Sequence, residues 1–223
     1  MGQNISLTAG DGHSLGAYRA NPPGSPKGAV VIIQEIFGVN GHVRNICDQY
    51  AAAGYVAIAP ALFDRVEPGL DLGYGEEDFA NGRETRGKLE NDGIVADVQA
   101  AVDEAAKSGK VGVIGYCFGG AVAWMAATTC TGVACASCYY GGGIYATKDA
   151  TAKCPVQFHF GDNDGGISLG NVHEIKEAQP DIPTYVYDDS GHGFCCDERD
   201  SFNPSACGRA RERTLSQLAA NVG

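Results

Sequence analysis

No apolar run in the sequence approaches the roughly 20 residues that a bilayer-crossing helix needs, so no membrane span is expected. A surplus of positive charge is missing too. Sixteen lysines and arginines face 27 aspartates and glutamates, a net charge of -11. Such a surface repels phosphate backbones and anionic lipid headgroups, which argues against nucleic acid and membrane partners. The opening Met1-Gly2-Gln3-Asn4-Ile5-Ser6 has neither a basic flank nor an apolar run, so no secretory signal is expected. Met-Gly with Ser6 loosely fits a myristoylation pattern, but a native start running into a strand is the simpler reading. Neither G-x-G-x-x-G nor a P-loop occurs, and no cofactor is expected. Cys135-Ala136-Ser137-Cys138 is a lone C-x-x-C that runs into a strand without a second pair, so no metal is expected there. Nine cysteines without a leader read as reduced thiols in a cytoplasmic protein, and their odd number prevents complete pairing. The vicinal Cys195-Cys196, close to His192, leaves a metal or redox role open.

What is present is an ordinary globular core. The hydrophobic share is 44% of 223 residues, and a chain of this length buries roughly 70% of its unfolded surface without disulfides or metal. One domain spanning 1–223, acting as a monomer, is expected. Ile5, Leu7, Leu15 and Tyr18 flank the turn dipeptide Asp11-Gly12 and predict an N-terminal β-hairpin. The continuous apolar run at 29–33 predicts a strand buried on both faces and 55–59 a second buried strand, with further strands at 111–116, 133–140, 156–160 and 184–187. Between them, helical spacing recurs at 43–50, 94–105, 119–128 and 171–178, and a final helix is expected over 210–222. Residues 61 to about 85, polar and Gly-rich, read as a long loop of the kind kept for binding. Strand and helix alternate without repeat or linker. The fold class is α/β, a doubly wound and mostly parallel sheet.

Gly115-Tyr116-Cys117-Phe118-Gly119-Gly120 joins a buried strand to a helix through a glycine-rich turn, the layout of a nucleophile elbow with cysteine in the serine position. A helix N-terminus favours a thiolate, and the Phe118 amide points where an oxyanion would form. Two literal G-x-S-x-G matches fit worse. Gly12 to Gly16 lies inside the hairpin, and Gly166 to Gly170 begins several residues past its strand with too little chain after it. An elbow predicts the order nucleophile, acid, histidine. Gly161-Asp162-Asn163-Asp164 follows one strand, and Ser190-Gly191-His192-Gly193-Phe194 follows the next. Cys117, Asp164 and His192 thus all fall at carboxyl ends of strands, where open α/β sheets bind ligands. Asp162 and Asp164 could each simply shape a turn, and a loop histidine is common. The ordered trio is what carries weight.

Together with Gln34-Glu35-Ile36-Phe37-Gly38-Val39-Asn40, these motifs make the whole chain resemble the dienelactone hydrolases (carboxymethylenebutenolidases), an α/β-hydrolase family. The resemblance implies a Cys117–His192–Asp164 triad that opens a lactone or ester through an acyl-enzyme. It implies an oxyanion hole from the Ile36 and Phe118 amides, and a Glu35 beside the thiol that controls its ionisation. The family binds its substrate carboxylate with two arginines, one of them four residues past the histidine. Here that position is Cys196; Arg199 is the candidate replacement, and Arg83 and Arg86 are the candidates for the other. The implied partner is a small lactone or ester. The alternatives are a thiol esterase of non-acidic esters and a non-catalytic redox sensor, which would need neither acid nor histidine.

Overall fold

The computed structural model describes residues 2–223. Gln3–Thr8 (β1) and Ser14–Ala20 (β2) form the expected antiparallel hairpin. β2 then pairs antiparallel with Tyr55–Pro60 (β4), and every later pairing is parallel. Gly28–Ile33 (β3), Val111–Tyr116 (β5), Val133–Tyr139 (β6), Val156–Gly161 (β7) and Thr184–Tyr187 (β8) complete one eight-stranded sheet in the order β1-β2-β4-β3-β5-β6-β7-β8. β3, β4, β5 and β7 are buried along their whole length, as their unbroken apolar runs require.

The helices are Gly41–Ala52 (α1), Glu76–Gly87 (α2), Asn91–Ala106 (α3), Phe118–Thr129 (α4), Leu169–Ala178 (α5) and Pro204–Asn221 (α6). α3 packs against β3 and β4 and touches α4, while Arg211 of α6 donates to the Gln49 carbonyl of α1. No described helix is long and apolar enough to cross a membrane.

Two expectations need correction. The predicted loop over 61–85 contains a short 3-10 segment at Leu62–Arg65 and most of α2. α2 escaped notice because it buries only Gly82 and Thr85 and so has no apolar stripe. The last helix begins six residues earlier than expected. Asn203 caps it by accepting from the Ala206 amide, and Pro204 occupies the first turn.

The chain order reverses at β3: β4 lies on one side of it and β5 on the other. That switch point opens a crevice outside the carboxyl ends of β3 and β5. Glu35 follows β3 and Cys117 follows β5.

Candidate active site

Cys117 sits between β5 and α4 with φ 56° and ψ -117°, a conformation that L side chains rarely adopt. Strain of this kind costs about 1–3 kcal/mol and persists only where the surroundings enforce it. They do so through close backbone contact. A Cβ on Gly119 would strike the Ile33 and Gln34 carbonyls, and one on Gly115 would strike the Gly119 carbonyl. The Cys117 amide donates to Tyr139 at 3.0 Å, which fixes the turn against β6. The thiol is thereby pushed out at the head of α4, partly exposed.

Asp164 and His192 arrive from the loops after β7 and β8. Asp164 Oδ1 accepts from the Gly166 and Ile167 amides at 2.8 and 3.1 Å, leaving Oδ2 for His192 Nδ1 at 2.8 Å. His192 Nε2 lies 3.0 Å from Cys117 Sγ. Asp162 is used differently, since its Oδ1 accepts from the Ser190 amide and ties the two loops together. Burial disfavours charge on His192, but its bonds to Asp164 and Cys117 outweigh that and push it up to about 10. An imidazole so held can take the thiol proton and keep it. The expected trio is brought into one hydrogen-bonded line.

Ile36 and Phe118 line the same cavity as Cys117 and His192, and among the described residues neither backbone amide donates to a protein acceptor. Gln34 shapes the turn that presents Ile36: its Oε1 accepts from Leu62 and its Nε2 donates to the Glu35 carbonyl. Gly82 lets α2 approach, since a Cβ there would strike the Ile36 carbonyl.

Cys117, Phe118, His192 and Ile36 line a cavity of about 450 Å³ whose other wall carries Arg83, Arg86, Arg199 and Phe79. All three candidate arginines are therefore gathered at one opening. Arg83 and Arg199 lie over the Phe79 ring, and Arg86 over Phe118 at 4.7 Å. Phe79 was missed from sequence because α2 was missed. Tyr140, at φ 36°, sets its ring edge-on to His192 at 5.2 Å, although its place in the sequence marks only the end of a strand.

Glu35 is only 1% exposed. Burial raises its pKa despite opposing attraction from His42, Arg199 and His192. It makes no hydrogen bond to Cys117, whose partner is His192; its neighbours are His42, Cys196 and, at 3.8 Å, Arg199. The expectation of nine reduced thiols is also corrected. Cys195, three residues past His192, is paired with Cys207 on α6. The sequence offered no cue, because two cysteines twelve residues apart meet only when the histidine loop folds back over that helix.

Residues 15–222 match the family model described as the dienelactone hydrolase family. The carboxymethylenebutenolidase of Pseudomonas putida is 34% identical over 230 residues, covering 97% of this chain and 96% of its own. That of Pseudomonas sp. strain P51 is 35% identical over 228 residues, covering 97% and 94%. Among solved structures, a Klebsiella pneumoniae protein named provisionally as a dienelactone hydrolase superposes with a TM-score of 0.83 at 25% identity. The match covers 97% of this chain and 99% of that one. A dienelactone hydrolase-like promiscuous phosphotriesterase from metagenomic libraries gives 0.78 at 17% identity over 100% and 99%, a likeness of fold alone.

Proposed function

The chain belongs to the dienelactone hydrolase family and is a lactone or ester hydrolase, and from that premise we propose that it opens a dienelactone-type lactone through a cysteine acyl-enzyme. The observation that carries this reading is the unbroken line from Asp164 through His192 to Cys117 at the base of the cavity. Cys117 attacks the lactone carbonyl as thiolate. The oxyanion forms between the Ile36 and Phe118 amides, and collapse breaks the ring C–O bond. His192 gives its proton to the leaving oxygen, then takes one from the water that hydrolyses the thioester. Asp164 holds the imidazole in register throughout.

The arginine wall supports a substrate that carries a carboxylate. With a net charge of -11 the protein does not attract an anion from afar, so recognition rests on local cations. Arg83, Arg86 and Arg199 supply them at the cavity opening. Cys196 stands four residues past His192 and is buried and uncharged there, with burial pushing it up to about 12. We read residues 1–223 as one catalytic unit acting as a monomer. Seven unpaired cysteines favour the reducing cytoplasm.

The test is rapid acid quenching of the enzyme with a carboxylate-bearing lactone, followed by peptide mapping. The expected result is the mass of the opened lactone on the peptide that contains Cys117. Complete iodoacetamide labelling of Cys117 with turnover retained would sink the assignment.

A further inference from the structure

Beside the reactive line, but not part of it, lies a buried knot of unpartnered donors. Both Glu35 carboxylate oxygens and His42 Nε2 are fully enclosed with no hydrogen-bond partner. A carboxylate and an imidazole nitrogen left bare inside a protein are costly unless something meets them. Cys196 Sγ completes the group, and one donor atom from each of the three residues lies within 4.8 Å of the others.

His42 shows how the knot is organised. Its Nδ1 bonds to the Asp197 carboxylate at 2.9 Å, which fixes the ring and leaves Nε2 as the inward atom. A carboxylate behind an imidazole is the outer support that metal-binding histidines commonly have. Asp197 is half exposed, so it is free to give this support and is not needed in the core. The Tyr74 hydroxyl is within hydrogen-bonding reach of the Cys196 sulfur, able to donate to a thiolate.

We propose that Glu35, His42 and Cys196 bind one divalent transition metal ion of the zinc type. Sulfur, nitrogen and oxygen donors together suit a borderline-soft ion, and three protein ligands leave a fourth position open. Bonds of about 2.0–2.3 Å around a tetrahedral ion space its donors about 3.3–3.8 Å apart, so the knot must contract by roughly 1 Å. Cys196 enters as a neutral thiol, and forming the metal–sulfur bond releases its proton to solvent. The Arg199 guanidinium faces a single Glu35 oxygen, leaving the other for the ion. Cys117 and His192 are already engaged with each other and stay outside the site.

The experiment is a titration of chelator-stripped full-length protein with Zn²⁺ against a chromophoric chelator, repeated with Co²⁺. One equivalent should bind, with release of a proton, and Co²⁺ should give a thiolate charge-transfer band together with tetrahedral visible bands. The Cys117→Ala protein should keep both signals, and Cys196→Ser should lose the thiolate band. Asp197→Asn, a change at a half-exposed carboxylate that leaves the core untouched, should weaken binding about 10–100-fold. Two outcomes would overturn the site: no stoichiometric binding by the wild type, or a band that survives Cys196→Ser and vanishes in Cys117→Ala. Neither outcome bears on the acyl-enzyme.

Discussion

Cys117 is held by backbone packed against backbone, whereas the arginines across the same cavity rest on aromatic rings. On the first wall, the turn stands between the carbonyls of Ile33, Gln34 and Tyr139, and the places where a side chain would collide are glycines. On the second wall, Arg83 and Arg199 share the Phe79 ring of a helix that buries almost nothing. One wall admits a single geometry, and the other can be rebuilt by exchanging side chains. Reaction chemistry needs the first kind of support, because sub-ångström error is expensive. Substrate preference can live on the second kind.

The sharpest way to break that comparison is to disable the rigid wall. His192→Ala and Asp164→Asn should each lower kcat on the order of 10³-fold or more, and their combination should cost little beyond the worse single change. Steady-state kinetics on one lactone settles it. Asp162→Asn should be mild, since its carboxylate serves the Ser190 amide. A silent Asp164→Asn beside a damaging Asp162→Asn would move the acid by two positions.

Next in size is stability. Gly119→Ala forces a methyl onto two carbonyl oxygens and should cost about 3 kcal/mol. For a domain of this size that is a fall in Tm of roughly 6–12 °C. Arg83→Ala on the other wall should stay within about 0.5 kcal/mol. Equal melting losses at the two positions would erase the distinction between the walls.

The third effect reads the arginine wall directly. Losing a paired cation to a partly buried carboxylate costs about 2 kcal/mol, roughly thirtyfold in affinity. Arg86→Ala and Arg199→Ala should therefore raise KM for carboxylate-bearing lactones by about that factor. Matched neutral esters should be spared. A uniform rise for both substrate classes would mean that these arginines only shape the cavity.

The same contrast explains what the sequence disclosed. The rigid wall was legible because close packing demands particular residues at particular spacings: Gly115, Gly119 and Gly120 around Cys117, then Asp164 and His192 each just past a strand. The parallel strands announced themselves as apolar runs for the same reason. The soft wall left little trace. α2 buries a glycine and a threonine, so its only sign was the acidic first turn Glu76-Glu77-Asp78. α6 is legible over 210–222 but not at its start: ahead of Ala210 the helix buries only Ala206, too small to extend the stripe, and its first turn rests on the Asn203 cap and Pro204. His42 on α1, Cys196 and the Cys195–Cys207 pair depend on how the histidine loop meets two distant helices, which no local pattern encodes.

Glu35 lies where the two walls join, and its effect is the smallest and the most dependent on pH. Burial raises its folded-state pKa above the ordinary value of about 4.5. A raised carboxyl destabilises the fold when ionised, so the linkage has a definite sign. The penalty is absent below the unfolded value, grows as pH climbs toward the folded one, and is constant beyond it. Attraction from His42, Arg199 and His192 offsets part of it. In chelator-stripped protein, Glu35→Gln should therefore melt higher than wild type at pH 8. The two curves should converge near pH 4. His192 runs the other way. Its folded value near 10 lies above the unfolded 6.5, so it contributes stability below 6.5 that is lost as pH rises toward 10. Melting temperatures of wild type, Glu35→Gln and His192→Ala across pH 4–10 separate the two groups. A Glu35→Gln protein that is less stable than wild type at every pH would mean that the carboxylate is satisfied where it stands. The junction would then belong to the rigid wall.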